Sequence, residues 1–205
     1  MKALPSALIN MPPKERPMLY DEDIRILLFD YLDRRFPKVR TFEEKSMGHS
    51  RSDVVALLPN LIVGIEIKSD ADSYTRLVTQ VKDYDKYFDV NFILVGSSHL
   101  THVHEHIPPY WGILLVDQKE EEPIIRQVRA PGLNPKVKTR TQLSFMWKRE
   151  LRMILEANKL GVYVSRSRRA MENALISWVP HKNLKRQMCY ILFERDYSIF
   201  EKDEE

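Results

Sequence analysis

Apolar residues recur along this 205-residue chain with two different periods, and the switches between them mark out the elements. From Asp21, the positions Ile24, Leu27, Leu28, Tyr31, Leu32 and Phe36 fall three or four apart, which predicts an amphipathic helix with Asp21 as N-cap and Pro37 as its stop. Val39 to Lys45 alternates as a strand does. Two runs rich in β-branched residues, Val54 to Leu58 and Leu61 to Ile67, flank the turn-forming pair Pro59-Asn60 and predict a β-hairpin. Helical spacing returns at Leu77, Val81, Tyr84 and Phe88, with Asp70 or Asp72 as the cap. The continuously apolar runs Asn91 to Gly96 and Gly112 to Asp117 read as buried strands around a short helix, and Ile124 to Val128 as an edge strand. Beyond a proline- and lysine-bearing stretch at 130–140, helices are expected at Leu143 to Leu160, 168–179 and 181–194. The pattern is α/β: a mixed central sheet flanked by helices over 19–130, then an α-helical region over 131–205. Residues 1–18 hold four of the twelve prolines and read as an extended, flexible arm, and the tail from Phe200 reads as acidic and frayed.

Three ionisable residues interrupt the hairpin: Asp53, Glu66 and Lys68. A two-residue loop sets Leu58 against Leu61, so Asp53 falls opposite Glu66 and Arg51 opposite Lys68, with the facing Cβ atoms about 5 Å apart. Alternation also places Glu66 and Lys68 on one face of their strand. Opposed carboxylates repel unless a cation neutralises them, and hard ions such as Mg²⁺ are commonly held by one or two carboxylates plus water and phosphate. A lysine beside such an ion can orient a metal-bound water or stabilise charge on a phosphate under attack. Arg76 and Gln80 lie one helical turn apart on the next helix, where an arginine suits a phosphate oxygen and a glutamine holds a water or a base edge. Glu22 either complements the first helix dipole or adds a metal ligand. Glu43 and Glu44 sit on opposite faces of their strand, so only one turns toward the site, and Glu44 is kept as the candidate.

Composition narrows the partners. The net charge of +3 hides an asymmetry: residues 1–125 hold 15 Lys/Arg against 20 Asp/Glu, and residues 126–186 hold 15 against 3. A segment that basic suits an anionic polymer, unless its charges are solvated helix faces. Its nucleic-acid contact candidates are Lys148, Arg149, Arg152, Arg168 and Arg169, joined from the core by Arg51, Arg76 and Tyr84. No apolar run approaches a membrane span, and prolines interrupt the N-terminus too early for a signal peptide. The single cysteine, Cys189, excludes a disulfide framework and a cysteine-rich zinc site, fits a reducing cytoplasm, and reads as a buried small hydrophobe. Four histidines crowd into His99 to His106, where His102 and His106 have a spacing compatible with zinc or with an exposed short helix.

Asp53, twelve intervening residues, then Glu66-Ile67-Lys68, followed by a helix carrying Gln80-Val-Lys-Asp-Tyr84, resembles the signature of the PD-(D/E)XK nuclease superfamily with its Q-x-x-x-Y element. Within it, residues 20–130 look like a group of bacterial and phage proteins, with weaker similarity at 147–151. Ser52 stands where the name-giving proline would be. The resemblance implies a restriction-endonuclease-like core and a Mg²⁺- or Mn²⁺-dependent (endo)nuclease in phage, mobile-element, DNA repair or defence biology. Position by position it implies Asp53, Glu66 and the Ile67 carbonyl as metal ligands, with Glu22 placed like a first-helix acid used by some members. Lys68 would position or activate the attacking water, and Gln80 would orient Lys68, the water or the DNA. DNA is the first polymer implied and RNA the second, and a homodimer is compatible with the chain. The rival reading is a non-catalytic nuclease-like module that binds DNA or a partner protein.

Overall fold

A computed structural model describes residues 19–118 and 122–195; the expected N-terminal arm and acidic tail lie outside them. Six strands, β1 (Arg40–Met47), β2 (Ser50–Leu58), β3 (Leu61–Lys68), β4 (Val90–Val95), β5 (Gly112–Asp117) and β6 (Ile124–Arg129), form one sheet in chain order. β1, β2 and β3 pair antiparallel, β3, β4 and β5 parallel, and β6 closes antiparallel. Parallel neighbours need crossovers, which α2 (Leu77–Tyr87) and the segment carrying the short α3 (Val103–His106) supply. The hairpin register is the expected one from Leu58 facing Leu61 to Val54 facing Ile65, but the ladder stops there, so the expected Asp53–Glu66 and Arg51–Lys68 pairs are not part of it.

Alternation along the strands divides the apolar residues between two faces. Val54, Ala56, Val63, Ile65, Leu94 and Leu114 pack against Leu28 and Leu32 of α1 (Asp21–Arg35). Val55, Leu57, Ile62, Ile93 and Val95 pack on the other face, under Leu77, Tyr84 and Phe88 of α2. Gly64 permits this approach, since a Cβ there would lie 2.2 Å from the Phe88 ring.

The second core continues into the C-terminal helices α4 (Thr139–Leu143), α5 (Lys148–Ala157), α6 (Arg168–Trp178) and α7 (His181–Glu194), through Leu143, Leu151, Leu175 and Met188. The stretch at 130–140 is therefore a change of element type within one continuous core. It is bonded down along its length: Asn134 Nδ2 donates to the carbonyls of Asp85 and Phe88, both at 2.8 Å, and the Lys138 N–H to Lys86 at 3.0 Å.

Three boundaries differ from expectation, each for a local reason. Asp21 is the first helical residue; Tyr20 is the cap, its N–H donating to Asp23 at 3.1 Å. α2 begins at Leu77, because Asp72 instead accepts from the Ser69 N–H at 2.8 Å and Asp70 from the Ser98 N–H at 2.8 Å. The single helix expected over Leu143 to Leu160 is broken, with Arg168 taking the carbonyls of Leu143 and Met146 at 2.8 and 2.9 Å, and Glu150 capping α5 through the Trp147 N–H at 2.6 Å. Cys189 is buried in α7, where burial pushes its thiol up to about 12, so it packs as a small hydrophobe.

Candidate functional site

The end of β3 carries its two charged residues on the α2 face, where Glu66 is fully buried and Lys68 nearly so. Lys68 Nζ donates to Glu66 Oε1 at 2.6 Å, and Gln80 Nε2, from the first turn of α2, donates to the same oxygen. Glu66 Oε2 and Gln80 Oε1 are buried without a hydrogen-bond partner. Reversing the Gln80 amide would set its oxygen against the carboxylate, so the unfilled acceptor is a property of the pair. Buried acceptors without partners are uncommon and costly, about 1–3 kcal/mol each.

Asp53 lies beside this pair, within β2 but without a paired partner in either neighbouring ladder. The β1–β2 ladder pairs Glu43 with Val54 and resumes at Lys45 with Ser52, while the β2–β3 ladder ends at Val54 and Ile65. Asp53 is satisfied by other groups: its N–H donates to the Tyr84 hydroxyl at 3.3 Å, its carbonyl accepts from Arg25 Nη1 at 2.9 Å, and its carboxylate accepts from the Ile67 N–H at 2.7 Å. The Tyr84 hydroxyl also donates to the Ile65 carbonyl at 3.1 Å, bridging the strands where their ladder stops. Opposite Asp53, Glu44 adopts a left-handed φ of 53°, a conformation that costs a non-glycine residue about 1–3 kcal/mol.

These surroundings set the charge states. Burial, then the neighbouring Glu66 charge, pushes Asp53 up to about 7, against the opposing pull of the Ile67 N–H and Lys68. Burial and the same two carboxylates, with Glu66 close to the phenol, hold Tyr84 well above its ordinary value, so it remains a neutral hydroxyl; its single proton goes to the Ile65 carbonyl, which leaves Glu66 Oε2 without it. Arg25 also pairs with Asp21, and its Nη1 lies 3.3 Å from Glu43 Oε2. The array thus sets four carboxylates (Asp21, Glu43, Asp53, Glu66) against two cations (Arg25, Lys68). Two carboxylates with a buried, unfilled oxygen fit a hard cation that completes its shell with water or phosphate. No group of three or more His, Cys, Asp or Glu residues suited to a metal occurs among the described residues.

Asp53, Glu66, Lys68 and Gln80 are therefore brought together, and Ile67 joins them through its N–H. Other expectations are corrected. Glu22 is exposed in the first turn of α1, outside this bonded group, because Arg25 and Asp21 occupy the α1 side that meets Asp53. Glu43, not Glu44, faces the site; Glu44 pairs with Arg51 at 3.0 Å, and the end of the ladder leaves Arg51 without its expected position opposite Lys68. Tyr84 is fully buried, which removes it from any nucleic-acid surface. Arg76 is exposed at the N-cap of α2. Within the basic segment, Lys148 and Arg169 are exposed, Arg149 lies 4.4 Å over the Trp147 ring, and Arg152 donates to the Val164 carbonyl at 3.1 Å. Arg168 is committed to the Leu143 and Met146 carbonyls and to Glu172, so it holds α4 to α6 and does not present its fork to a phosphate.

The histidine cluster packs around Tyr74, whose ring lies 4.8 Å from His99 and 4.2 Å from His106. Arg25 was missed by sequence reasoning. Its available signal was a charge one turn after Asp21, between the buried Ile24 and Leu28.

Residues 16–202 match the family model described as bacteriophage P4 protein cII, and the chain belongs to that family. None of the curated proteins compared matches it. A solved structure of a protein of unknown function from Silicibacter pomeroyi is similar at 18% identity and a TM-score of 0.46, covering 78% of this chain and 98% of that one. No helix among the described residues is long and apolar enough to cross a membrane.

Proposed function

We propose that this member of the phage P4 cII family is a metal-dependent nuclease of the PD-(D/E)XK type, with a restriction-endonuclease-like core, hydrolysing phosphodiester bonds in DNA. The observation that carries the reading is the unfilled Glu66 Oε2, buried beside Asp53 and Lys68. A decayed or purely structural cluster has no reason to keep a costly, unpartnered carboxylate oxygen next to a second acid.

When bound, Mg²⁺ or Mn²⁺ supplies Lewis acidity and lowers the pKa of a coordinated water. Asp53 and Glu66 are the residues that would hold it. The Ile67 N–H fixes one Asp53 oxygen, and the side chain keeps 24% of its surface open, so substrate approaches from the Asp53 side. Lys68 is anchored by Glu66 and has two remaining N–H donors for a water or a phosphate oxygen. Gln80 holds Glu66 Oε1, keeping the other oxygen turned inward, and exposed Arg76 is placed to meet the polymer backbone.

A nicking assay on supercoiled, linear and single-stranded DNA, with an RNA arm, tests the proposal in Mg²⁺ and in Mn²⁺. Cleavage that falls roughly 10²-fold or more in Asp53→Ala and in Lys68→Ala is expected. Activity unchanged in either variant sinks the assignment, and polymer binding without cleavage selects the non-catalytic module.

A further inference from the structure

We propose that Arg25 is a positioning residue for the site, holding Asp53 out of the sheet ladder with its carboxylate seated on the Ile67 amide. This rests on the reading of Asp53 as a metal ligand and goes beyond it by naming what sets that ligand's geometry. Asp53 lies where neither neighbouring ladder supplies its usual pairing. Its carbonyl is met by Arg25 Nη1 at 2.9 Å. Arg25 Nη2 lies 3.8 Å from Asp53 Oδ1, so the same guanidinium braces main chain and side chain of one residue.

Three other roles fit less well. A phosphate contact needs available donors at the surface, whereas Arg25 is 12% exposed and its nitrogens already face Asp21, Glu43 and Asp53. A helix-stabilising ion pair accounts for Asp21, four residues earlier, but not for the contacts 18 and 28 residues away. A simple counter-ion would be served equally by lysine, yet one ammonium lacks the planar fork that spans a carbonyl and three carboxylates. Removing Arg25 would leave Asp53 facing Asp21 and Glu43 with no cation between them, and repulsion would drive its carboxylate off the Ile67 amide.

The test is amide hydrogen exchange at Ile67, read against Ile62 in the same strand, together with Mn²⁺ binding by electron paramagnetic resonance. Arg25→Gln should speed Ile67 exchange about tenfold relative to Ile62 and weaken Mn²⁺ binding about tenfold, the worth of one charge-assisted hydrogen bond. Arg25→Lys should fall between Gln and wild type, and serves as the reading variant if Arg25→Gln does not fold. Adding Asp21→Asn to Arg25→Gln should recover part of both losses by relieving the repulsion. Ile67 exchange unchanged in Arg25→Gln, or fully preserved in Arg25→Lys when Arg25→Gln is unfolded, overturns the inference. If wild type binds no Mn²⁺, the metal-site reading falls while Ile67 exchange still decides the role of Arg25.

Discussion

Two buried clusters at opposite ends of β3 are built from the same three chemical groups and have opposite hydrogen-bond states. At one end stand Glu66, Lys68 and Gln80; near Ile62, four to six residues or roughly 13 to 20 Å away along the strand, stand Asp89, Lys185 and Gln142. In the second cluster Lys185 Nζ reaches both Asp89 oxygens, at 2.7 and 2.9 Å, and also Gln142 Oε1. The Ile62 N–H fills Asp89 Oδ2 at 2.8 Å, and Gln142 Nε2 donates to the Tyr87 carbonyl at 2.9 Å. Every side-chain oxygen of that set has a partner. In the first cluster two donors converge on one carboxylate oxygen, while the other oxygen and the Gln80 oxygen have none. Identical ingredients thus make an internal fastening between α7 and the sheet at one end and a carboxylate with one oxygen lacking a protein donor at the other. What separates the two clusters is that unpartnered oxygen.

The comparison can be broken most sharply at the saturated end. Lys185→Met strands the Asp89 charge in the core and should lower unfolding stability by about 3–5 kcal/mol in urea titrations; a loss below about 1 kcal/mol would mean that the saturated cluster is not a fastening. The next effect is pH-dependent. Asp53 titrates near 7 in the folded chain and near 3.8 in its ordinary state, so between these values the folded chain binds the extra proton. That contribution to stability is fully present below about pH 4 and is lost as pH rises through 7. Urea midpoints should therefore fall from pH 5 to pH 8 on this account, and Asp53→Asn should flatten the slope; an unaltered slope would contradict it.

Tyr84→Phe should cost about 1–3 kcal/mol by leaving the Asp53 N–H and Ile65 carbonyl without their bridge, measured by thermal melting. The smallest stability effect is expected at the unsaturated end. Glu66→Gln keeps an acceptor for Lys68 and Gln80, and Asp53, freed from the Glu66 charge, ionises and takes over as the countercharge of Lys68; stability should therefore change by less than about 1 kcal/mol, while divalent-ion binding in calorimetry is abolished. A destabilisation as large as that of Lys185→Met would erase the distinction between the two ends.

The hairpin was the most legible part of the chain. Pro59-Asn60 between two β-branched runs leaves one register that buries both, and it places Asp53, Glu66 and Lys68 at the same end. Gln80 was legible through helical spacing after the strand. Arg25 and Glu43 were not, because their meeting depends on how α1 crosses the sheet. The basic segment was legible as charge and, for the most part, as surface: Lys148, Arg149, Arg152 and Arg169 are exposed, while Arg168 and Lys185 spend donors on internal partners, which composition cannot distinguish from solvated ones.

Sequence alone determined the periods, and with them the strands, the order of elements and the local pairing of Glu66 with Lys68, since these depend on residues within a few positions of one another. Tertiary structure decided which groups were filled. Whether a carboxylate oxygen finds a donor depends on contacts such as Arg25 with Asp53, or Lys185 with Asp89, separated by 28 and 96 residues. Short-range pattern carries no information about hydrogen-bond capacity left over once distant segments have docked, and among the described residues that remainder falls on Glu66, Gln80 and Asn91, of which the first two stand together beside Asp53.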